Sequence, residues 1–266
     1  MMSDGPFSVS LPSALVDRAL AFRRAHAGAT PGALSVEDVQ ELAELLTQAF
    51  ATVGIQSTVV GGSALTLQVP VLTPSNDLDI VLEEPRSGRA PRTELVAAIM
   101  QGLGFTKEPG RHWSIGGCFV EFPGGSIEEP FDLVGAPGAT LRVLSVEAML
   151  VQRLVSYRGT GATAHGIQAA LIIRAMGDRL DMTRFKPLAL KEGIGRHYNA
   201  VRALALGTPA VALDEPTLRD LYWALKPIRV TAAEAVATVT PTRVRPETPA
   251  PPALPDADVV PPPLSD

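Results

Sequence analysis

A single cysteine, Cys118, rules out an internal disulfide and any zinc site built from several thiolates, and it fits a reducing compartment. The four histidines, His26, His112, His165 and His197, are scattered, and none falls in an H-E-x-x-H spacing. No apolar run approaches the ~18–20 residues that span a bilayer. The N-terminus has no basic start followed by an apolar stretch, so no signal peptide is expected. The expectation is a cytoplasmic protein with no membrane partner. Excess positive charge is also missing: residues 1–230 carry 21 Lys/Arg and 23 Asp/Glu, a net of -2. A nearly neutral body gives no electrostatic footprint for long nucleic acid.

What is present is a chain of 266 residues, 46% apolar and 19% charged, enough for a substantial core. The last 36 residues hold nine prolines, no glycine and no aromatic residue. Pro249–Pro255 and the triplet Pro261-Pro262-Pro263 cannot continue helices or central strands, so residues 231–266 read as a Pro-rich, disordered tail. Residues 1–144 mix helices and strands. Val36, Val39, Leu42, Leu45, Leu46 and Phe50 recur at helical spacing behind Ser35, a natural N-cap, with Gly54 as the stop. Strands are expected at Ser57–Val60, Asp77–Leu82, Cys118–Phe122, Phe131–Val134 and Thr140–Val143, and helices at Ser63–Val69 and Arg92–Leu103. Residues 145–230 read as helical, near 146–157, 164–177, 181–192, 194–206 and 217–226. The class is therefore α/β (α+β): a mixed sheet with flanking helices, a C-terminal helical region and a tail.

Two short motifs carry chemistry. Gly61-Gly62 lies between a strand and a helix, where glycine lets the backbone approach a ligand and the helix start offers unpaired N–H groups to an anion. Ser63 adds a hydroxyl. After thirteen intervening residues, Asp77 and Asp79 form a D-x-D on a strand, where residues i and i+2 share one face. Two carboxylates about 5 Å apart repel by roughly 3 kcal/mol at an effective dielectric of 20. A bound cation turns that repulsion into attraction, and oxygen ligands favour Mg2+ or Mn2+.

The order strand, Gly-rich turn, helix, strand with D-x-D resembles the nucleotidyltransferase superfamily of the DNA polymerase β type. Val60-Gly61-Gly62-Ser63 and Asn76-Asp77-Leu78-Asp79-Ile80 match its pattern, with Asn76 in place of a first hydrophobic residue. The surrounding residues resemble small bacterial AbiEii-like and minimal nucleotidyltransferase proteins of toxin–antitoxin pairs. Ser75 stands where those often have Thr, and Leu72 where an Arg is common. The resemblance implies a third carboxylate on a neighbouring strand. Glu121, in Phe119-Val120-Glu121-Phe122-Pro123, is preferred over Asp132, in Phe131-Asp132-Leu133-Val134, and both stay open. The helical half resembles the extension of the same proteins. There Arg153 and Arg158 read as helix-surface charges, with triphosphate contact as the alternative. His112 beside Trp113 reads as a half-buried structural histidine, with base stacking as the alternative.

The resemblance implies a metal-dependent transferase that moves a nucleoside monophosphate from a nucleoside triphosphate to an RNA (a tRNA, for example), protein or small-molecule acceptor. Asp77, Asp79 and Glu121 would hold Mg2+ or Mn2+, and Gly61, Gly62 and Ser63 would bind the nucleotide's phosphates. The alternative is a catalytically weak or inactive member that acts by binding its cognate toxin or antitoxin. Leu72 and the low basic charge favour that alternative.

Overall fold

The computed structural model describes residues 9–27, 34–69, 75, 77–84, 93–135, 140–207 and 214–226. The chain divides into Met1–Lys226, a compact unit, and Pro227–Asp266. The Pro-rich tail expected from residue 231, and the departures at Leu72 and Asn76, lie outside the described residues.

The first unit opens with α1 (Ser13–Ala25) and α2 (Val36–Ala51). Ser35 caps α2 in a reciprocal box: its hydroxyl accepts from the Asp38 N–H at 3.1 Å, and the Asp38 carboxylate accepts from the Ser35 N–H at 2.9 Å. The apolar stripe of α2, from Val39 to Phe50, is buried. Strand β1 (Gln56–Val60) follows, then α3 (Gly61–Gln68), β2 (Asp77–Glu83) and α4 (Thr93–Gly102). Strands β3 (Thr106–Lys107), β4 (His112–Ile115), β5 (Cys118–Glu121), β6 (Phe131–Val134) and β7 (Leu141–Leu144) complete the sheet. Five helices come next: α5 (Val146–Thr160), α6 (Thr163–Met176), α7 (Met182–Lys191), α8 (Gly195–Gly207) and α9 (Glu215–Leu225). Among the described residues, no helix is long and apolar enough to cross a membrane.

The architecture is the mixed α/β arrangement expected. Seven strands lie in the order β3-β4-β5-β2-β1-β7-β6 among the described residues. The pairs β1–β7 and β2–β5 are parallel; β1–β2, β3–β4, β4–β5 and β6–β7 are antiparallel. Each anticipated helix and strand is present, with ends shifted by up to three residues. Helix α1 and strands β3 and β4 are additions. Helix α1 buries Leu15, Ala19 and Phe22 at helical spacing and ties itself to α2 through His26 Nε2 and Asp38 Oδ1, 2.9 Å apart.

Helix α2 covers one face of the sheet, where Phe50 meets Phe122 edge-on at 5.5 Å. Leu78, Ile80 and Val120 point to that face and are fully buried. Each such side chain contributes about 1.5–3 kcal/mol. A one-residue slip of β2 would bury its acids instead, so the apolar alternation fixes which face the acids occupy. The helical part continues the same hydrophobic cluster, with α5 packed against α3, α6 and α7. Gln68 Nε2 donates to the Leu144 carbonyl at 2.5 Å, tying the end of α3 to the end of β7.

Candidate active site

Asp77 and Asp79 alternate along β2 with the buried Leu78 and Ile80, so both acids project from the face opposite α2. Strand β5 runs parallel beside β2, with Asp77 opposite Phe119 and Asp79 opposite Glu121. Neighbouring strands lie about 4.8 Å apart, so this register alone brings Glu121 to Asp79. Strand β4 pairs antiparallel with β5 on its other side and sets His112 opposite Glu121. One ligand atom each from Asp77, His112 and Glu121 lie within 4.8 Å of one another.

Asp132 is elsewhere. It sits on β6, at the far edge of the sheet, with β1 and β7 between it and β2. Its carboxylate accepts from Arg184 Nη1 at 2.6 Å. Of the two candidates for a third acid, Glu121 is the one beside Asp77 and Asp79.

The Gly-rich turn abuts the same acids. Gly61 has φ +64°, and a Cβ there would overlap Asp79 Oδ2 and lie 3.0 Å from its Cγ. A Cβ on Gly62 would lie 2.5 Å from Ser75 Oγ. Both positions therefore need glycine, the first for conformation and space, the second for space. Ser75 Oγ in turn donates to Asp77 Oδ1 at 3.1 Å. Ser63 differs from the expectation of a hydroxyl offered to phosphate. It is fully buried; its Oγ donates to the Asp77 carbonyl at 2.5 Å and accepts from the Asp79 N–H at 3.3 Å. Both capacities of the hydroxyl are spent on β2, where it fixes the start of α3 against the D-x-D segment.

Charge is unbalanced here. Burial, then the Asp77 and Glu121 carboxylates, push the Asp79 pKa up to about 6, against opposing pulls from Arg153 and His112. Arg153 is not the surface charge suggested by the sequence. It is half-buried on α5, its Nε is buried without a hydrogen-bond partner among the described residues, and burial lowers its pKa while Asp79 raises it. Helix α5 is buried on most sides, so helical periodicity gave no sign of which way this residue faces. Arg158 is spent on structure, donating from Nη1 to the Glu192 carbonyl at the end of α7. His112 likewise faces the acids: its Nε2 is 3.2 Å from Glu121 Oε2, while Arg111 Nε is 2.9 Å from Glu121 Oε1. Cys118 is buried, its thiol pushed up to about 11 by burial and then by Asp38, as an inert strand residue should be.

The donor set fits a divalent cation. Asp77, Glu121 and His112 offer two carboxylate oxygens and an imidazole nitrogen from adjacent strands, and Asp79 adds like charge beside them. The gathered carboxylates favour a positive ligand, and the half-buried Gly61-Gly62 turn lies next to them.

No protein-family model matches the chain, and none of the curated proteins matches it. Among solved structures, the chain is similar to the antibiotic-resistance factor ANT(2'')-Ia, whose solution structure reveals substrate-regulated conformation dynamics. The identity is 16%, over 62% of this chain and 98% of that chain, with a TM-score of 0.39.

Proposed function

We propose that this protein is a metal-dependent nucleotidyltransferase acting at Asp77, Asp79 and Glu121. The observation that carries the reading is their convergence on one sheet face, from two parallel strands in register, against the Gly61-Gly62 turn. A divalent cation bound there would supply neutralisation of the triphosphate and polarisation of its α-phosphoryl group. Asp77 and Glu121 would hold the cation, and Asp79 supplies the adjoining negative charge. Gly61 and Gly62 add no side chain of their own at the start of α3, whose N–H groups would meet phosphate oxygens. Ser63 positions the two aspartates through their own backbone. The acceptor's hydroxyl oxygen attacks the α-phosphorus and gives up its proton to solvent, the bond to pyrophosphate breaks, and pyrophosphate leaves. RNA, protein and small-molecule acceptors all suit this chemistry.

The test incubates the protein with each α-labelled nucleoside triphosphate, Mg2+ or Mn2+, and transfer RNA, total protein or small polyhydroxylated acceptors. Label transfer that disappears in Asp77→Ala and Asp79→Ala supports the reading. Transfer unchanged in both variants rejects this site.

A second reading is a quiet member of the same fold that binds a cognate toxin or antitoxin. The Arg111 ion pair on Glu121 favours it, because it satisfies one oxygen of the third acid with a residue of the chain itself. Specific capture of one partner protein by a form that binds no nucleotide would support it.

A further inference from the structure

We propose that His112 is a direct ligand of the cation, which makes the centre a mixed nitrogen–oxygen site selective for Mn2+ or Co2+ over Mg2+. The inference deepens the proposed function, since it shares Asp77 and Glu121 with it. It stands on geometry that the D-x-D motif does not contain.

Three observations place the imidazole. First, the β4–β5 hairpin turns through Gly116-Gly117, both with positive φ (59° and 88°), between the paired Ile115 and Cys118. Such two-residue turns match the twist of the strands and lock their register, which puts His112 opposite Glu121. The turn has no slack, because a Cβ on Gly116 would sit 2.9 Å from His26 Cβ and 3.2 Å from the Arg23 carbonyl. Second, alternation along β4 sends Trp113 and Ile115 into the core, leaving His112 on the acid face. Its ring meets Phe119 edge-on at 6.1 Å, which restrains the imidazole plane. Third, the donors lie close to the spacing that one ion needs. Ligands at about 2.1 Å from an octahedral cation lie roughly 3 Å apart when adjacent and about 4.2 Å when opposite. His112 Nε2 and Glu121 Oε2 are 3.2 Å apart, and all three donors fall within 4.8 Å. Arg111 occupies the other oxygen, Oε1, and its side chain is 74% exposed, so Oε2 can serve a cation while that ion pair persists.

Donor chemistry then sets the preference. Mg2+ takes oxygen ligands and retains its waters, whereas imidazole suits Mn2+, Co2+ and Zn2+ better. Two carboxylates and one imidazole bind the second group more tightly than an all-oxygen site would.

The test uses the full chain and the metal alone. Mn2+ is titrated by electron paramagnetic resonance, and electron spin-echo modulation of the bound ion reports directly coordinated nitrogen. The wild type should show 14N modulation that changes to the 15N pattern in protein labelled with 15N-histidine. Loss of the modulation in His112→Gln, with Mn2+ affinity weakened roughly tenfold or more, is the expected result. Mg2+ affinity, read by competition against Mn2+, should change less than about threefold. Absence of bound Mn2+, bound Mn2+ without nitrogen coupling, a spectrum unaltered by the label, or coupling that persists in His112→Gln would each overturn the proposal. The isotope arm needs no mutation, so a folding defect in His112→Gln leaves the test intact. Nitrogen-coordinated Mn2+ without nucleotidyl transfer supports this assignment and rejects the transfer reading. Transfer by a protein whose Mn2+ lacks nitrogen coupling does the reverse.

Discussion

Gly61 and Asp79 are packed so closely that the only side chain position 61 can carry is a hydrogen atom. A methyl group there would overlap Asp79 Oδ2, and the backbone at φ +64° already disfavours any other residue. The turn and the acid are thus one device. Gly61→Ala should cost about 2 kcal/mol of stability, from the left-handed backbone and the displaced carboxylate together. It should also lower transfer at least ~100-fold, because the acid is pushed out of place. Urea denaturation and label transfer on the same preparation measure both effects.

Ser63→Ala removes the hydroxyl that joins the Asp77 carbonyl to the Asp79 N–H. The two backbone groups lose a buried partner, at a cost of roughly 1–3 kcal/mol. Nucleotide affinity should fall with stability, since the role is positional. A variant with wild-type stability and weak nucleotide binding would instead indicate that the hydroxyl reaches phosphate.

Asp79→Asn should stabilise the metal-free protein at high pH and not at low pH. The folded carboxyl, at about 6, holds its proton more tightly than the unfolded one, at 3.8. Its contribution is therefore fully present below pH ~4 and is lost as pH rises towards about 6. Above that, the wild type carries a charge that the fold disfavours by about 1–3 kcal/mol, and asparagine removes it. Denaturant midpoints at pH 4, 6 and 8 should show the two proteins converging at the acid end. A constant offset across that range would count against a raised carboxyl.

The docking of α1 should be sensitive to pH from both sides. Burial lowers the His26 pKa, but hydrogen bonds to the Phe22 carbonyl and Asp38 outweigh it, so the net shift is upward. That contribution is present below about 6.5 and lost as pH climbs past the folded value. Burial raises Asp38, but its bonds to Ser35 and His26 outweigh that and leave it lowered. Its contribution is present above the ordinary carboxylate range and lost as pH falls through the folded value. His26→Gln should remove up to about 1 kcal/mol near pH 5.5 and much less near pH 9, read from denaturation midpoints.

Much of this was legible in local sequence. Ser35 and the stripe behind it define α2, and the Leu78/Ile80 alternation shows that Asp77 and Asp79 share a face. Glu121 was a candidate only through the family resemblance, with Asp132 beside it, and its place next to Asp79 depends on the pairing of strands far apart in sequence. The same holds for His112: strand β4 is only four residues long, and its partner register is set by a glycine pair whose meaning appears only in the hairpin. Arg153 is not legible in this way because α5 is enclosed on most sides, so its residue pattern does not separate an outward face from one turned to the acids. Ser63 shows the converse error. A hydroxyl in a glycine-rich turn suggests a ligand, and here it is consumed by the next strand. Helix α1 buries only three residues, too thin a stripe to stand out beside α2.

Asp77, Asp79 and Glu121 are proposed to form one cation-dependent nucleotide site. Calorimetric titration with a non-hydrolysable α,β-methylene nucleoside triphosphate, with and without Mn2+, tests it without knowledge of the acceptor. Binding should require the cation, weaken at least about tenfold in Glu121→Gln, and be unchanged in Asp132→Asn. Binding that ignores the cation, or that survives Glu121→Gln and fails in Asp132→Asn, would contradict the account.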